Sequence, residues 1–266
     1  MSKMMKVWLA GVITVMSAAL SWGDILYRDA FNDGTVGGTL NTTLDVSTNA
    51  ALWKGAPGAY TYTTNGAVKV NTIALRTVYV EFTPEAGKIY TYSADVRVDA
   101  RTSSNTVPFC IGFISANNLA IANPAIMNWF GNSDSPWMQI DPQKMPADGG
   151  AYPSGVVRGM KGNTVAGTSA TQNVGLFNNY QIVLDTTGAN WIATYLFNGS
   201  QFASYTYTSG NPTISAFGFG SSGTVNNSIL GEVNAVELSM IPEPTTLGLF
   251  VVSSVGIFLF RKRMAL

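Results

Sequence analysis

The chain has 266 residues, with 15 Lys and Arg against 15 Asp and Glu, no histidine and one cysteine. Without histidine there is no Ser-His-Asp or Cys-His nucleophile and no histidine-ligated metal, and one cysteine cannot staple an exported domain. Charged residues are 11% of the chain, below the ~25% of an average globular protein, so surface polarity must come from Thr, Ser, Asn and Gly.

The first element is a leader. Lys3 and Lys6 precede an apolar run over residues 7–20, and Ser21-Trp22-Gly23 sets small residues at positions −3 and −1 of a cleavage after Gly23. That pattern predicts a secretory signal peptide over residues 1–23. Residues 24–240 follow, enough for one large all-β domain. They carry 14 acidic and ten basic residues, a net of −4, which lacks the basic footprint of a nucleic-acid binder. Aromatic residues recur along this whole span, so a packed core is available and a disordered stalk is excluded.

Periodicity of two dominates the span. Tyr60 and Tyr62 share one face, as do Val68 and Val70 after the Asn65-Gly66 turn, which predicts a hairpin. Val78, Val80 and Phe82 form the next alternating run, ended by Pro84. Over residues 88–101, Tyr90, Tyr92, Ala94, Val96, Val98 and Ala100 share one parity, and Asp95, Arg97, Asp99 and Arg101 share the other. That is a strand with an apolar inner face and a charged outer one. The stretch PFCIGFIS is apolar on both parities, as a strand covered on both faces would be, so Cys110 is expected to be buried and inert.

A looser region runs from residue 117 to 173, rich in Gly, Pro, Asn and Ser, with short strands expected near residues 137–141 and 155–158. Three strands follow at residues 180–185, 191–197 and 201–206, the last two joined by Asn198-Gly199. ISAFGFGS comes next, and then a run in which Val233, Ala235 and Glu237 alternate with Val236 and Leu238. Many short strands with no long helical pattern predict an all-β, two-sheet antiparallel sandwich. Trp53 and Trp191 sit beside strand-like apolar residues and are expected in its core.

The segment Asn190-Trp191 through Tyr195-Leu196-Phe197-Asn198-Gly199-Ser200-Gln201 resembles the Trp…Tyr-x-x-Asn-Gly hairpin of concanavalin A-like, laminin-G-like jelly rolls. The resemblance implies a jelly-roll ectodomain over residues 24–240, with Asp29-Ala30-Phe31 and Val236-Glu237-Leu238 in paired terminal strands. It also brings calcium into consideration at the sandwich rim, with Asp33, Asp134, Asp141 and Asp148 as the candidates, although none lies in an Asp-x-Asp-x-Asp-Gly loop. Otherwise no cofactor is expected. Exposed aromatics would serve as stacking platforms for glycan, and Trp129 and Trp137, in the loop-rich region, are the candidates.

Jelly rolls also host glycoside hydrolases, whose chemistry needs paired carboxylates. Asp95 and Asp99 share a strand face but stand about 13 Å apart at four residues' rise, beyond the ~5–9.5 Å that such chemistry uses. The compact Glu-x-Asp-x-x-Glu strand motif of one jelly-roll hydrolase group is absent, and Glu81 and Glu85 only bracket Pro84 in a turn. The expectation is a protein that is not an enzyme.

The last element is IPEPTTLGLFVVSSVGIFLFRKRMAL. Residues 245–260 make roughly 24 Å of helix, slightly short of a ~30 Å hydrocarbon core, a mismatch that local thinning accommodates. Arg261, Lys262 and Arg263 hold its far end on the cytoplasmic side. Pro242 and Pro244 force an extended backbone around Glu243, a form that a protease binds. Pro242-Glu243-Pro244, the short span and the basic cluster together resemble the PEP-CTERM sorting signal. The resemblance makes residues 241–266 a sorting tail, and it implies a Gram-negative source and an exosortase-type membrane protease as partner. It implies transient residence in the inner membrane, then delivery to the cell envelope or extracellular matrix. The expected function is structural or adhesive, within or against extracellular polysaccharide. A carbohydrate-active enzyme, a glycoside hydrolase or lyase on the same fold, is the alternative.

Overall fold

Strict alternation of buried and half-buried residues along Ile89–Val98 makes this segment a sheet strand with one face turned to the core. The same rule builds the rest. The computed structural model describes residues 23–70, 76–98, 109–115, 134–141, 154–221 and 231–241. Among them are sixteen β-strands, one 3-10 turn at Pro57–Ala59 and no α-helix. In chain order the strands are β1 Asp24–Asp29, β2 Val46–Ser47, β3 Lys54–Gly55, β4 Tyr60–Tyr62, β5 Val68–Val70, β6 Arg76–Glu81, β7 Ile89–Val98 and β8 Phe109–Ser115. They continue with β9 Pro136–Asp141, β10 Ser154–Lys161, β11 Thr164–Asn173, β12 Phe177–Asp185, β13 Ile192–Phe197, β14 Ser200–Thr206, β15 Ile214–Ser221 and β16 Gly231–Ile241. Ile25–Met240 form one compact unit.

The first sheet runs β2-β1-β16-β7-β12-β13-β14, and the second runs β11-β10-β9-β8-β15-β6-β3. The β4–β5 hairpin adds to β16 through Val68 opposite Val233. β11 joins the sheets, pairing along β10 and meeting β14 where Gly167 faces Ala203. Pairing is antiparallel throughout the described registers, β7 against β12 being the longest. The terminal strands β1 and β16 are neighbours, as the jelly-roll resemblance implies, but β1 ends at Asp29, so Ala30 and Phe31 lie beyond it.

The two sheets face each other across an aromatic core. Tyr92 of the first sheet packs edge-on against Phe217 of the second at 5.1 Å, and Phe82 against Tyr90 at 5.1 Å. Near the other end Phe219 sits among Tyr60, Trp53 and Phe31 at 5.3 to 5.9 Å. Such pairs contribute about 0.5–1.5 kcal/mol each beyond the area they bury. Fit between the sheets is close: a Cβ on Gly159 would lie 2.7 Å from the Tyr195 ring.

Several expectations hold in detail. Tyr90, Tyr92, Ala94, Val96 and Val98 are all buried, every residue of β8 is buried, Trp53 is core, and Trp191 is partly buried against it. The Asn198-Gly199 turn has positive φ at both residues, 48° and 77°, the conformation a two-residue hairpin needs. Other details differ. β9 and β10 are longer than expected, and β11 lies wholly within the region read as loose. In β16, Asn234 and Ala235 are both half-buried, so the alternation changes phase there and Val233 and Val236 are both buried. On the charged face of β7, Asp95 accepts from Asn179 Nδ2 at 2.7 Å and Arg97 pairs with Glu232 at 3.6 Å; Asp99 lies outside the described residues.

No helix among the described residues is long and apolar enough to cross a membrane. The expected leader, Gly23 apart, and the expected span and sorting motif at residues 242–266 lie outside the described residues.

Candidate functional site

Strand register places the outward residues of the second sheet in rows. Cys110, Gln139 and Arg158 lie abreast on β8, β9 and β10, with Gly112, Trp137 and Met160 in the next row. Trp137 is wholly buried, and its Nε1 donates to the Gly162 carbonyl at 2.8 Å. With Cys110, Ile114, Met160 and Ala216 it forms a second apolar cluster, against which Tyr79 packs. The centre of this face is therefore closed to solvent. This corrects the expectation for Trp137: its ring is core and offers no face to a sugar. Trp129 lies outside the described residues. Burial, aided by the nearby Asp141 carboxylate, pushes the Cys110 thiol well above its ordinary range, so the thiolate is suppressed and the residue is inert.

The calcium candidates do not assemble. Asp33 accepts from Tyr62 Oη at 2.9 Å and from Asn41 Nδ2 at 2.7 Å. Asp134 pairs with Lys161 at 3.3 Å, and that ammonium also lies over the Tyr205 ring at 5.1 Å. Asp141, at the end of β9, pairs with Arg158 at 2.9 Å. Asp134 lies before β9 and Asp141 at its far end, so the six-residue strand Pro136–Asp141, roughly 17 Å long, separates them. Asp148 lies outside the described residues. Among the described residues no group of three or more acidic or cysteine side chains is placed to hold a metal ion.

An open cavity of about 660 Å³ lies at one end of the sandwich. Its buried side is aromatic and aliphatic: Tyr27 from β1, Phe82 after β6, Tyr90 at the start of β7, with Leu26 and Met240. Phe82 stands edge-on to both Tyr90 and Tyr27, at 5.1 and 6.3 Å. The mouth is polar, carrying Thr48, Asn49, Thr83 and Ser215 with the charged Glu81, Glu85 and Lys88. Lys54 pairs with Glu81 at 2.6 Å.

The β6–β7 connection that forms one wall is pinned. Phe82 N donates to Ser215 O at 2.9 Å, and Gly87 N to Thr186 O at 2.9 Å. Lys88 N donates to Thr186 Oγ1 at 3.0 Å, and that hydroxyl lies 2.7 Å from the Glu85 carbonyl. Glu85 N donates to Tyr90 Oη at 2.8 Å. The backbone is held where Glu85 and Lys88 line the mouth, which suits binding with little loss of loop entropy. Sequence reading placed Glu81 and Glu85 in one turn; it missed the cavity, which draws its walls from residues far apart in the chain.

No family model matches the chain, and no curated protein matches it. Solved structures do. The endo-1,3-beta-glucanase from Streptomyces sioyaensis aligns over 84% of this chain and 98% of its own, with 11% identity and a TM-score of 0.55. The carbohydrate recognition domain of Emp47p aligns over 80% of this chain and 94% of its own, with 11% identity and a TM-score of 0.51. The likeness is one of fold: this is an all-β jelly roll. One neighbour is an enzyme and the other a recognition domain, so the fold does not decide catalysis.

Proposed function

We propose that this chain is an exported, non-catalytic sandwich that binds polysaccharide in the cavity beside the β6–β7 connection. The observation that carries the reading is the chemistry of that cavity. Its floor of Tyr27, Phe82 and Tyr90 is largely buried and shapes the cavity, and a mouth of hydroxyl, amide, carboxylate and ammonium groups suits the hydroxyls of sugar rings. The two fold neighbours, a glucanase and a carbohydrate recognition domain, support the choice of ligand class. The reading requires no cofactor.

The ends belong to the same proposal. The leader over residues 1–23 starts export. Pro242-Glu243-Pro244, the span at residues 245–260 and Arg261, Lys262 and Arg263 hold the chain in the inner membrane of a Gram-negative cell. An exosortase-type protease then releases the sandwich to the envelope or its polysaccharide matrix, where it acts as a structural or adhesive protein.

A hydrolase is the second reading, favoured by one observation: Glu81 and Glu85 line the same cavity. Against it, Glu81 is held by Lys54 at 2.6 Å, a pair that would have to open before that carboxylate met a substrate.

The test is a calorimetric panel of β-1,3-glucan, cellulose, chitin, alginate and polysaccharide from the native host. At least one is expected to bind without being cut. Asn49→Ala combined with Glu85→Ala, both at exposed positions, should weaken that binding roughly tenfold or more. Absence of binding across the panel defeats the proposal, and release of reducing ends that Glu81→Gln or Glu85→Gln abolishes replaces it with the hydrolase.

A further inference from the structure

Two Asn-Gly pairs stand at exposed hairpin turns, Asn65-Gly66 between β4 and β5 and Asn198-Gly199 between β13 and β14. Asparagine is a chemically labile residue, and an Asn-Gly pair reacts within its own chain. The backbone nitrogen of the glycine attacks the asparagine Cγ, and the bond from Cγ to Nδ2 breaks. Ammonia leaves, carrying the proton that the attacking nitrogen gives up. Water then opens the cyclic succinimide at either carbonyl, giving aspartate or isoaspartate, with no oxidant or reductant involved. Glycine leaves the attack unhindered, so the side chain's freedom to swing onto the next nitrogen sets the rate.

The two turns differ in that freedom. Asn198 is clamped to β12: its Oδ1 accepts from Asn179 N at 2.9 Å, and its Nδ2 donates to Asn178 Oδ1 at 3.2 Å. Its own N donates to Asn179 O at 2.8 Å, and its φ of 48° is part of the tight turn. Asn65 is held at the side chain by one contact, Nδ2 to Glu232 Oε2 at 3.2 Å. Gly66 N reaches Thr63 O only at 3.4 Å, and a Cβ built on Gly66 would meet nothing within 4 Å. Reaction at Asn65 therefore breaks fewer bonds, in open surroundings.

The product has a consequence for the fold. An amide that donates to Glu232 becomes a carboxylate facing it, and the Glu232 side chain is only 12% exposed beside Arg97. Like charges at that distance repel. Isoaspartate also routes the backbone through the side chain, lengthening the turn that sets the hairpin register. The hairpin pairs with β16 through only Lys69 opposite Glu232 and Val68 opposite Val233, yet it carries the buried Tyr60, Tyr62 and Val68. We infer that Asn65 is a self-modification site, with water as its only co-reactant, and that its conversion loosens the β4–β5 hairpin from β16.

The test holds the purified full-length chain for days at neutral and at mildly alkaline pH, and peptide maps read amide loss at each turn. Asn65 should convert roughly tenfold or more faster than Asn198, from the additional hydrogen bonds that Asn198 must break. Conversion should quicken as pH rises, since the attacking nitrogen must lose its proton. The urea midpoint of aged wild type should fall below that of fresh protein. Aged Asn65→Gln should keep its midpoint, because a glutamine amide must close a larger ring, and fresh Asn65→Asp should already show part of the fall. An Asn65 that stays amide, or converts no faster than Asn198, overturns the site. Conversion at Asn65 with an unchanged urea midpoint overturns the loosening. The wild-type peptide map and midpoint decide both points if a variant does not fold.

Discussion

Trp53 donates its indole Nε1–H to Oδ2 of Asp29 across 2.7 Å, with both residues buried at 2% exposure. Phe31 N donates to the other carboxylate oxygen at 2.8 Å, so this acid ties the end of β1 to the residue just before β3. Burial pushes its pKa up from 3.8 to about 6, only partly opposed by these hydrogen bonds. The folded state therefore keeps a proton that the unfolded chain releases. The associated stability is complete below about pH 4 and is lost as pH rises through about 6. Urea unfolding of wild type and Asp29→Asn at pH 4 and pH 7 should show it. Wild type is expected to lose about 3 kcal/mol relative to the variant over that interval, from a shift of roughly two units. Parallel pH profiles would contradict the assignment.

Trp137→Phe should destabilise the sandwich by about 2 kcal/mol or more, since it opens a void in the second apolar cluster and leaves the Gly162 carbonyl without its donor. Polysaccharide binding at the cavity should be unchanged. Denaturation followed by far-ultraviolet circular dichroism measures the first and calorimetry the second. A stable Trp137→Phe that no longer binds sugar would restore the ring to the binding surface.

Gly112→Ala should be among the most damaging single substitutions. Its φ is 151°, and a Cβ there would stand 2.5 Å from the Trp137 backbone, so strand β8 would have to move away from β9. A loss of roughly 3 kcal/mol or more is expected in chemical denaturation; a variant within about 0.5 kcal/mol of wild type would show that the two strands are less closely apposed.

Protein released from the native host's surface should lack the tail that follows Pro242-Glu243-Pro244. Intact-mass spectrometry checks this directly. Recovery of released protein that still ends at Leu266 would contradict the sorting proposal.

Much of the fold is legible in the chain because its inner faces are aliphatic and aromatic while its outer faces are polar. Ile89–Val98 announces itself in this way, and Asn198-Gly199 marks its hairpin. β11 gives no such signal: in TVAGTSATQN only Ala166 and Gln172 are buried, so there is hardly an apolar stripe to read. Trp137 misleads for the opposite reason. Its neighbours Ser135 and Pro136 read as loop, yet β9 crosses the middle of a sheet covered on both faces. The cavity leaves no local trace, since Tyr27, Asn49, Glu85, Ser215 and Met240 meet only once both sheets are folded. The difference between the two Asn-Gly turns is likewise a property of packing, invisible until Asn178 and Asn179 are seen to clamp Asn198.

The central claim is that polysaccharide enters the cavity at the β6–β7 end of the sandwich. Amide chemical-shift mapping of the labelled protein, titrated with a tetrasaccharide cut from the panel polysaccharide that binds tightest, tests it most directly. The account predicts saturable shifts at Thr48, Asn49, Thr83, Glu85, Lys88 and Ser215. Saturable binding with no shift at any of these residues would contradict it.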